Sequence, residues 1–570
     1  MMKRIYIICV LALLGFSCEK NLDLTPEDVL TESSFFLSAN DFRLFANNFY
    51  DALPNQSQGL SDRQTDIGYT EGGNDVSRGT HQAPQNSSTW DGAYANIRKY
   101  NFLLEKIEEA DENLQVEVEA FKGESLFFRA YTYFTLLKTY GGVPIITQTL
   151  DTDSEDLQKS RDSRQDVVAR IVQDLDMAIS LLPTSNTGSD VGRVSSYAAL
   201  AFKARVALFE GTWRKFHGLA DVNTMLDQAM AAADQVIQNG GFELFDRRDV
   251  LGDDSYRYYF LLDGDGRTNP AGITKAEDKE AILVRRQDRD LKSTGNPFPL
   301  VDVRQQNPTK SMMDLYLCND GLPIDKSPNF MGYDNTDSEY QNRDPRLGHM
   351  MVPDQRYWSF QFAEWWKNWA NPTANGFVYM EDGDDWGGRT ATGYQGTKMT
   401  PEVEQPFGIE FAVIRYAEVL LIYAEAAFER NGSISDQDLD KSINKLRDRV
   451  GMPHLTNTFV NTNNLDMQTE IRRERTVELA FEGFRYDDLR RWKTAETVLP
   501  QPIKGIKFDG TQWSIDPRYS SNNFTTDANG FVIVESIRTF DPQKHYLMPL
   551  PIRQLILNPN LEQNPGWPEQ

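Results

Sequence analysis

Cysteine, histidine and positive charge are all scarce in this chain, and each scarcity removes a class of function. Only Cys9, Cys18 and Cys318 occur among 570 residues. Exported proteins built on disulfides carry even, closely spaced sets of cysteines, so no such framework is expected. Cys318 reads as a lone packed thiol. The five histidines (His81, His217, His349, His454 and His545) are scattered and lack metal-ligand spacing such as H-E-x-x-H, which argues against zinc. Lysine and arginine number 59 against 84 acidic residues, a formal charge of −25. Phosphate backbones need clustered cations, so nucleic acid is excluded as a partner, and anionic lipid surfaces are disfavoured. Long apolar runs are missing too. Residues 5–14 are too short for a membrane-spanning helix, which needs about 20 residues, and no later segment qualifies.

Catalytic signatures are equally thin. No glycine-rich phosphate loop follows a strand, and no serine-nucleophile elbow appears. A glycosidase needs two facing carboxylates, and no short stretch marks such a pair. Asp263-Gly264-Asp265-Gly266 begins like a calcium loop, but Arg267 and Thr274 stand where an oxygen ligand and the closing glutamate belong. It reads as a turn. A structural calcium elsewhere on so acidic a surface stays open; otherwise no cofactor is expected.

What the sequence does contain begins with an address. Lys3 and Arg4 precede the apolar run, and Gly15-Phe16-Ser17 lead into Cys18. This is the layout of a secretory signal peptide that ends in a lipoprotein box, so residues 1–17 leave and Cys18 becomes an acylated N-terminus. The alternative is ordinary secretion with a free thiol. Several acyl chains on one cysteine hold a protein to a membrane stably, which makes the lipid anchor the expected membrane contact.

Helical periodicity dominates the rest of the chain. Apolar residues recur at helical spacing over 90–107, 116–140, 166–182, 195–209, 226–237, 414–428, 436–450 and 467–492. Gly141-Gly142 with Pro144, Pro183, Gly240-Gly241, Asn431-Gly432 and Gly451 supply stop signals. Small residues line the faces expected to touch: Ala198, Ala201, Ala204 and Ala207, then Ala417 and Ala424. Such faces let antiparallel helices approach closely, as in tetratricopeptide-type arrays. The expected fold is mainly α, a superhelix of helix pairs with few short strands. Helical repeats are placed at about 38–245 and 408–495. An irregular insertion spans about 246–407 and an irregular C-terminal segment about 496–570, within one domain over 18–570.

A series of motifs is ordered along the whole chain. They run from Leu22-Asp23-Leu24-Thr25-Pro26, through Gly123-Glu124-Ser125-Leu126-Phe127-Phe128-Arg129-Ala130-Tyr131 and Tyr140-Gly141-Gly142-Val143-Pro144, to Gly192-Arg193-Val194-Ser195. They continue with Arg343-Asp344-Pro345-Arg346-Leu347, Ile414-Arg415-Tyr416-Ala417-Glu418, and Glu478-Leu479-Ala480-Phe481-Glu482-Gly483-Phe484-Arg485 through Trp492. The close is Asn558-Pro559-Asn560-Leu561 and Asn564-Pro565-Gly566-Trp567. In order and coverage these motifs resemble those of the SusD/RagB family of surface glycan-binding lipoproteins. The resemblance implies four helix-pair repeats with a large irregular partner layer. It implies no catalysis, an outer-membrane location facing outward, and a SusC-like TonB-dependent transporter as partner. Glu124, Arg129, Arg415 and Glu418 are expected to form paired charges between helices, because a buried charge needs a partner.

Sugars offer apolar C–H faces and a hydroxyl rim, met by aromatic rings and by Asp, Asn or Arg. Trp358, Trp365, Trp366, Trp369 and Trp386 crowd about 30 residues of the insertion, with Asp382, Asp384, Asp385 and Arg389 at its end. The candidate glycan contacts are therefore Trp358, Trp365, Trp366, Trp386 and Arg389. Adjacent Trp365 and Trp366 rarely face the same way, so one of them reads as packing. The loop 62–90 adds Asp62, Asp66, Asp75 and Trp90. The resemblance implies that this loop and the insertion form one site. Trp90 has two readings, a ligand ring or a core residue opening its helix. The rival function is a tetratricopeptide-like surface adaptor for proteins or peptides, with the tryptophans in a protein interface.

Overall fold

The computed structural model describes residues 35–55, 62–70, 72–293, 307–335, 337–352, 377–378, 389–396, 398–399, 407–515 and 524–568. A short helix α1 (Ala39–Asn47) leads into five long helices: α2 (Ser88–Glu109), α3 (Glu119–Tyr140), α4 (Arg164–Leu181), α5 (Ser196–His217) and α6 (Val222–Asn239). After the insertion, α7 (Tyr416–Asn431) packs back onto α5 and α6. Side-chain oxygens start several of these helices. Ser87, Ser163 and Ser195 accept from the backbone N–H three residues on, while Gly218 and Gly432 close two helices in the left-handed conformation.

The alanine stripe packs as its spacing predicts. Ala198, Ala201, Ala204 and Ala207 of α5 are fully buried, as are Ala417 and Ala424 of α7. A Cβ added at Gly211 would come within 2.8 Å of the Leu226 side chain, so α5 and α6 close on each other there. The expected charges are all paired, two of them helix to helix and Glu124 with an arginine of the loop before α5. Arg129 meets Asp174 at 2.7 Å, Arg193 meets Glu124 at 2.7 Å, and Arg205 meets Glu418.

Two expected helices are broken. Residues 436–450 form α8 (Asp436–Lys441) and α9 (Ile443–Arg449), parted at buried Ser442. Residues 467–492 form α10 (Met467–Glu478) and α11 (Arg485–Arg491), separated by a turn with positive φ at Phe481 (62°) and Gly483 (81°). Glu478, at the end of α10, and Glu482, within the turn, both reach Arg415, which bonds Glu478 Oε1 at 2.7 Å, Glu482 Oε1 at 2.7 Å and Glu280 Oε1 at 2.9 Å.

Around this arginine lies a buried ion network that joins the insertion to the helices. Arg449 bonds Glu478 and Glu280, Arg346 bonds Asp344, Glu474 and Glu478, and Lys398 bonds Glu482. Burial alone would raise the Glu478 carboxyl, but Arg449, Arg415 and Arg346 hold it well below the usual range. The Arg343-Asp344-Pro345-Arg346 motif is thereby accounted for, since Arg343 also gathers the Met313, Tyr316 and Glu339 carbonyls. Cys318 is buried, as expected.

Described strands come only as five antiparallel pairs. They are β1 (Gly68–Tyr69) with β3 (Asn307–Pro308), β2 (Ala281–Arg285) with β8 (Phe411–Arg415), and β4 (Met351–Val352) with β7 (Gln395–Gly396). The remaining two are β5 (Phe377–Val378) with β6 (Arg389–Thr390), and β9 (Ile503–Lys507) with β10 (Phe531–Glu535).

Candidate functional site

Short strands bring the early loop and the insertion together. β1 of the early loop pairs with β3 of the insertion, Gly68 opposite Pro308 and Tyr69 opposite Asn307. Asn307 is buried, and its side-chain oxygen accepts the Ala391 N–H at 3.0 Å. Ala391 directly follows β6, the strand that ends the tryptophan-rich stretch. The stretch itself leaves and returns through one rung, because Val352 of β4 lies opposite Gln395 of β7. Behind it, the Thr392 carbonyl accepts the Ile506 N–H of β9 at 2.8 Å. Early loop, tryptophan stretch and C-terminal hairpin are therefore anchored at one place.

Most of the early-loop candidates serve as anchors. Asp62 is fully buried, and its Oδ1 accepts the Arg485 N–H at 3.1 Å. Its other oxygen has no hydrogen-bond partner, and burial pushes the carboxyl up to about 7. Asp66 forms a two-pronged pair with the Arg485 guanidinium, at 2.9 and 2.8 Å. Trp90 is 5% exposed, with its ring 5.0 Å from Tyr94 and 5.2 Å from Tyr140. Of its two readings, the core residue is the one the packing fits. Asp62 and Asp66, expected as ligand contacts, instead bond Arg485 of α11, and Trp90 packs at the start of α2. Burial denies their side chains an open face.

Asp75 differs. It is exposed, on a one-turn helix (Asp75–Arg78) whose N-terminus is capped by the Asn74 side chain. Arg78 pairs with Glu535 of β10, and Arg538 donates to the Thr65 and Ser77 carbonyls. The carboxylate of Asp75 is thus presented from a fixed base. Arg389 sits on β6 opposite Val378. Trp358, Trp365, Trp366 and Trp386 lie outside the described residues, as does Cys18.

The organising residue Asn307 left no signal in the sequence. Asn74 stands among the polar residues of the early loop, and its place immediately before a short polar turn of helix marks the cap it forms. A third joint also went unseen. His81 of the early loop packs with its ring 4.9 Å from that of His545 and 4.9 Å from that of Trp567, with Lys544 over the Trp567 ring at 4.0 Å. Burial lowers the pKa of His81 and takes His545 to about 4.

Among the described residues no group of three or more His, Cys, Asp or Glu side chains is placed to hold a metal. The 263–266 segment is a turn, with Asp263 accepting from the Asp265 and Gly408 N–H groups. No described helix is long and apolar enough to cross a membrane.

Comparison with known proteins agrees along the length of the chain. A profile described as the SusD family matches residues 281–567, and one described as "Starch-binding associating with outer membrane" matches 25–208. A SusD-like protein of Formosa agariphila is 24% identical over 546 residues, covering 90% of this chain and 95% of its own. A SusD-like carbohydrate-binding protein of Bacteroides fragilis superposes with a TM-score of 0.74 at 22% identity, covering 93% of this chain and all of its own. A laminarin-binding SusD-like protein gives 0.60 at 19% identity, with 93% and 100% covered. The last two are named for binding carbohydrate, not for a reaction. With a family profile spanning its C-terminal half, related profile coverage before it and the same fold throughout, the chain belongs to the SusD family.

Proposed function

We propose that this protein is a non-catalytic outer-membrane lipoprotein, anchored through Cys18 and facing outward. It captures oligosaccharides and passes them to a SusC-like TonB-dependent transporter. The observation that carries this reading is the common anchorage of the early loop and the tryptophan stretch at Tyr69, Asn307 and Ala391. Rings from Trp358, Trp365, Trp366 and Trp386 would cover the apolar faces of the sugar, and Asp75 and Arg389 would bond its rim. The carbohydrate-binding names of the structural relatives support the ligand class, and the outer-membrane wording of the N-terminal profile supports the location.

The test is calorimetric titration of soluble protein beginning at Glu19 against a panel of maltose-, laminarin-, cellulose- and xylan-derived oligosaccharides, with the sugars recovered and sized. One class should bind and return intact. Shortened sugars would overturn the non-catalytic reading, and silence across the panel would overturn glycan capture by the isolated protein.

A further inference from the structure

A second cleft lies away from the anchorage at Asn307. It encloses about 520 Å3 between the loop joining α4 to α5, residues 275–278 and the β2–β8 pair, within the ~300–1,000 Å3 range of small-ligand sites. Its described lining contains no residue of the early loop.

Three features define what it could take. The first is an open apolar wall. β2 lines the cleft with half-buried Ile282 and Val284 on either side of buried Leu283, beside Phe242. The second is matched charge. Lys275 and Arg286 share Glu410, at 2.8 and 3.1 Å, while Arg193 has Glu124 and Arg415 has Glu482. An anionic ligand would find every one of these lining cations already matched, which disfavours an acidic sugar, while Asp278, held by backbone N–H groups, keeps a carboxyl that can accept from hydroxyls. The third is a polar rim: exposed Ser185 on one lip, and Asp278 and the half-exposed Arg286 on the other. Gly192, in the left-handed region at φ +91°, lies against the Arg286 side chain, which an added Cβ would meet at 2.6 Å. Asp278 is fixed by the Glu280 and Ala281 N–H groups, and burial raises its carboxyl to about 6.

We propose that this cleft is a second saccharide subsite. It takes a short neutral sugar whose apolar face rests on Ile282 and Val284 and whose hydroxyls meet Ser185, Asp278 and Arg286. The proposal rests on the glycan-capture reading but uses none of its residues. Two sites on one chain would raise the retention of a long glycan through effective concentration, provided one glycan can span both.

The test uses the mature chain from Glu19, with plugs placed on opposite exposed lips, Ser185→Trp and Ala276→Trp, and a separate variant with Trp358, Trp365, Trp366 and Trp386 changed to alanine. Each is photolabelled with diazirine-bearing short oligosaccharides of the panel, with peptides mapped by mass spectrometry, and titrated with the parent sugars. Labelling of peptides covering 184–193 or 275–286 is expected in the unaltered protein and in the alanine variant. Either plug should reduce it at least about tenfold while labelling at the tryptophan stretch persists. Labelling confined to the tryptophan stretch, or cleft labelling indifferent to both plugs, would overturn the subsite and leave glycan capture standing. An unaltered protein that neither labels nor titrates would remove both readings.

Discussion

Arg415 and Glu478 face each other at 2.7 Å with both side chains almost wholly buried, one at the end of β8 and the other at the end of α10. The pair ties the irregular layer to the helices. Removing one partner leaves an uncompensated buried charge, which typically costs about 3–5 kcal/mol. Arg415→Ala should therefore destabilise the protein by about that much, as read by urea denaturation. Loss below about 1 kcal/mol would mean the network is hydrated and weakly coupled.

Asp62 makes stability fall as pH rises. Its folded carboxyl titrates at about 7, against an ordinary value of 3.8, so the folded state holds the proton more tightly. Stability contributed by the protonated form is present below pH 4 and lost as pH climbs through 7. Asp62→Asn should melt progressively higher than the parent between pH 5 and pH 8. A gap in melting temperature that does not change with pH would contradict this assignment.

His545 acts in the opposite direction. Its folded pKa is about 4, depressed first by burial and then by His81 and Lys544, with Asp541 opposing. The unfolded chain takes the proton near 6.5, so stability is lost as pH falls from about 6.5 towards 4. His545→Asn should flatten that acid limb. Hydrogen exchange over 75–86 and 538–552 should accelerate at pH 4.5 in the parent and less in the variant.

Ala204 lies fully buried on the stripe of α5. Ala204→Leu would force α5 from its neighbours, and overpacking of this kind costs about 1–3 kcal/mol. Thermal unfolding should register it, while Leu44→Ala on the exposed side of α1 should stay within about 0.5 kcal/mol of the parent.

For ligand, the alanine changes at Trp358, Trp365, Trp366 and Trp386 should each be titrated alone. A ring that stacks on sugar is worth about 0.5–1.5 kcal/mol, up to about tenfold in affinity. Unequal losses would separate stacking rings from packing rings.

Helix positions were legible because apolar and small residues recur at 3.6-residue spacing and glycine or proline stops them. Interior charges were not. Glu474, Glu478, Glu482 and Arg485 have the spacing of a solvated helix face, yet all four are committed to partners in buried or partly buried surroundings. Period alone cannot see that the chain turns at Phe481 and that Glu482 in this turn pairs with Arg415. The same blindness affected the early loop. Asp62 and Asp66 look like free carboxylates until Arg485, more than 400 positions away, is brought beside them. Pairings of that sequence separation leave no local trace. The motif charges Glu124 and Arg129 were easier, since they sit amid apolar residues and only a buried partner could explain them.

The rung between Val352 and Gln395 has an evolutionary consequence. Whatever the chain does between those residues, it departs from and rejoins the scaffold at neighbouring points. Changes in loop length then carry only a slowly growing closure penalty. On the proposed glycan-capture reading, the part of this stretch that precedes the anchors at Ala391 and Thr392 is where a lineage could change length to follow a new polysaccharide without redesigning the helices.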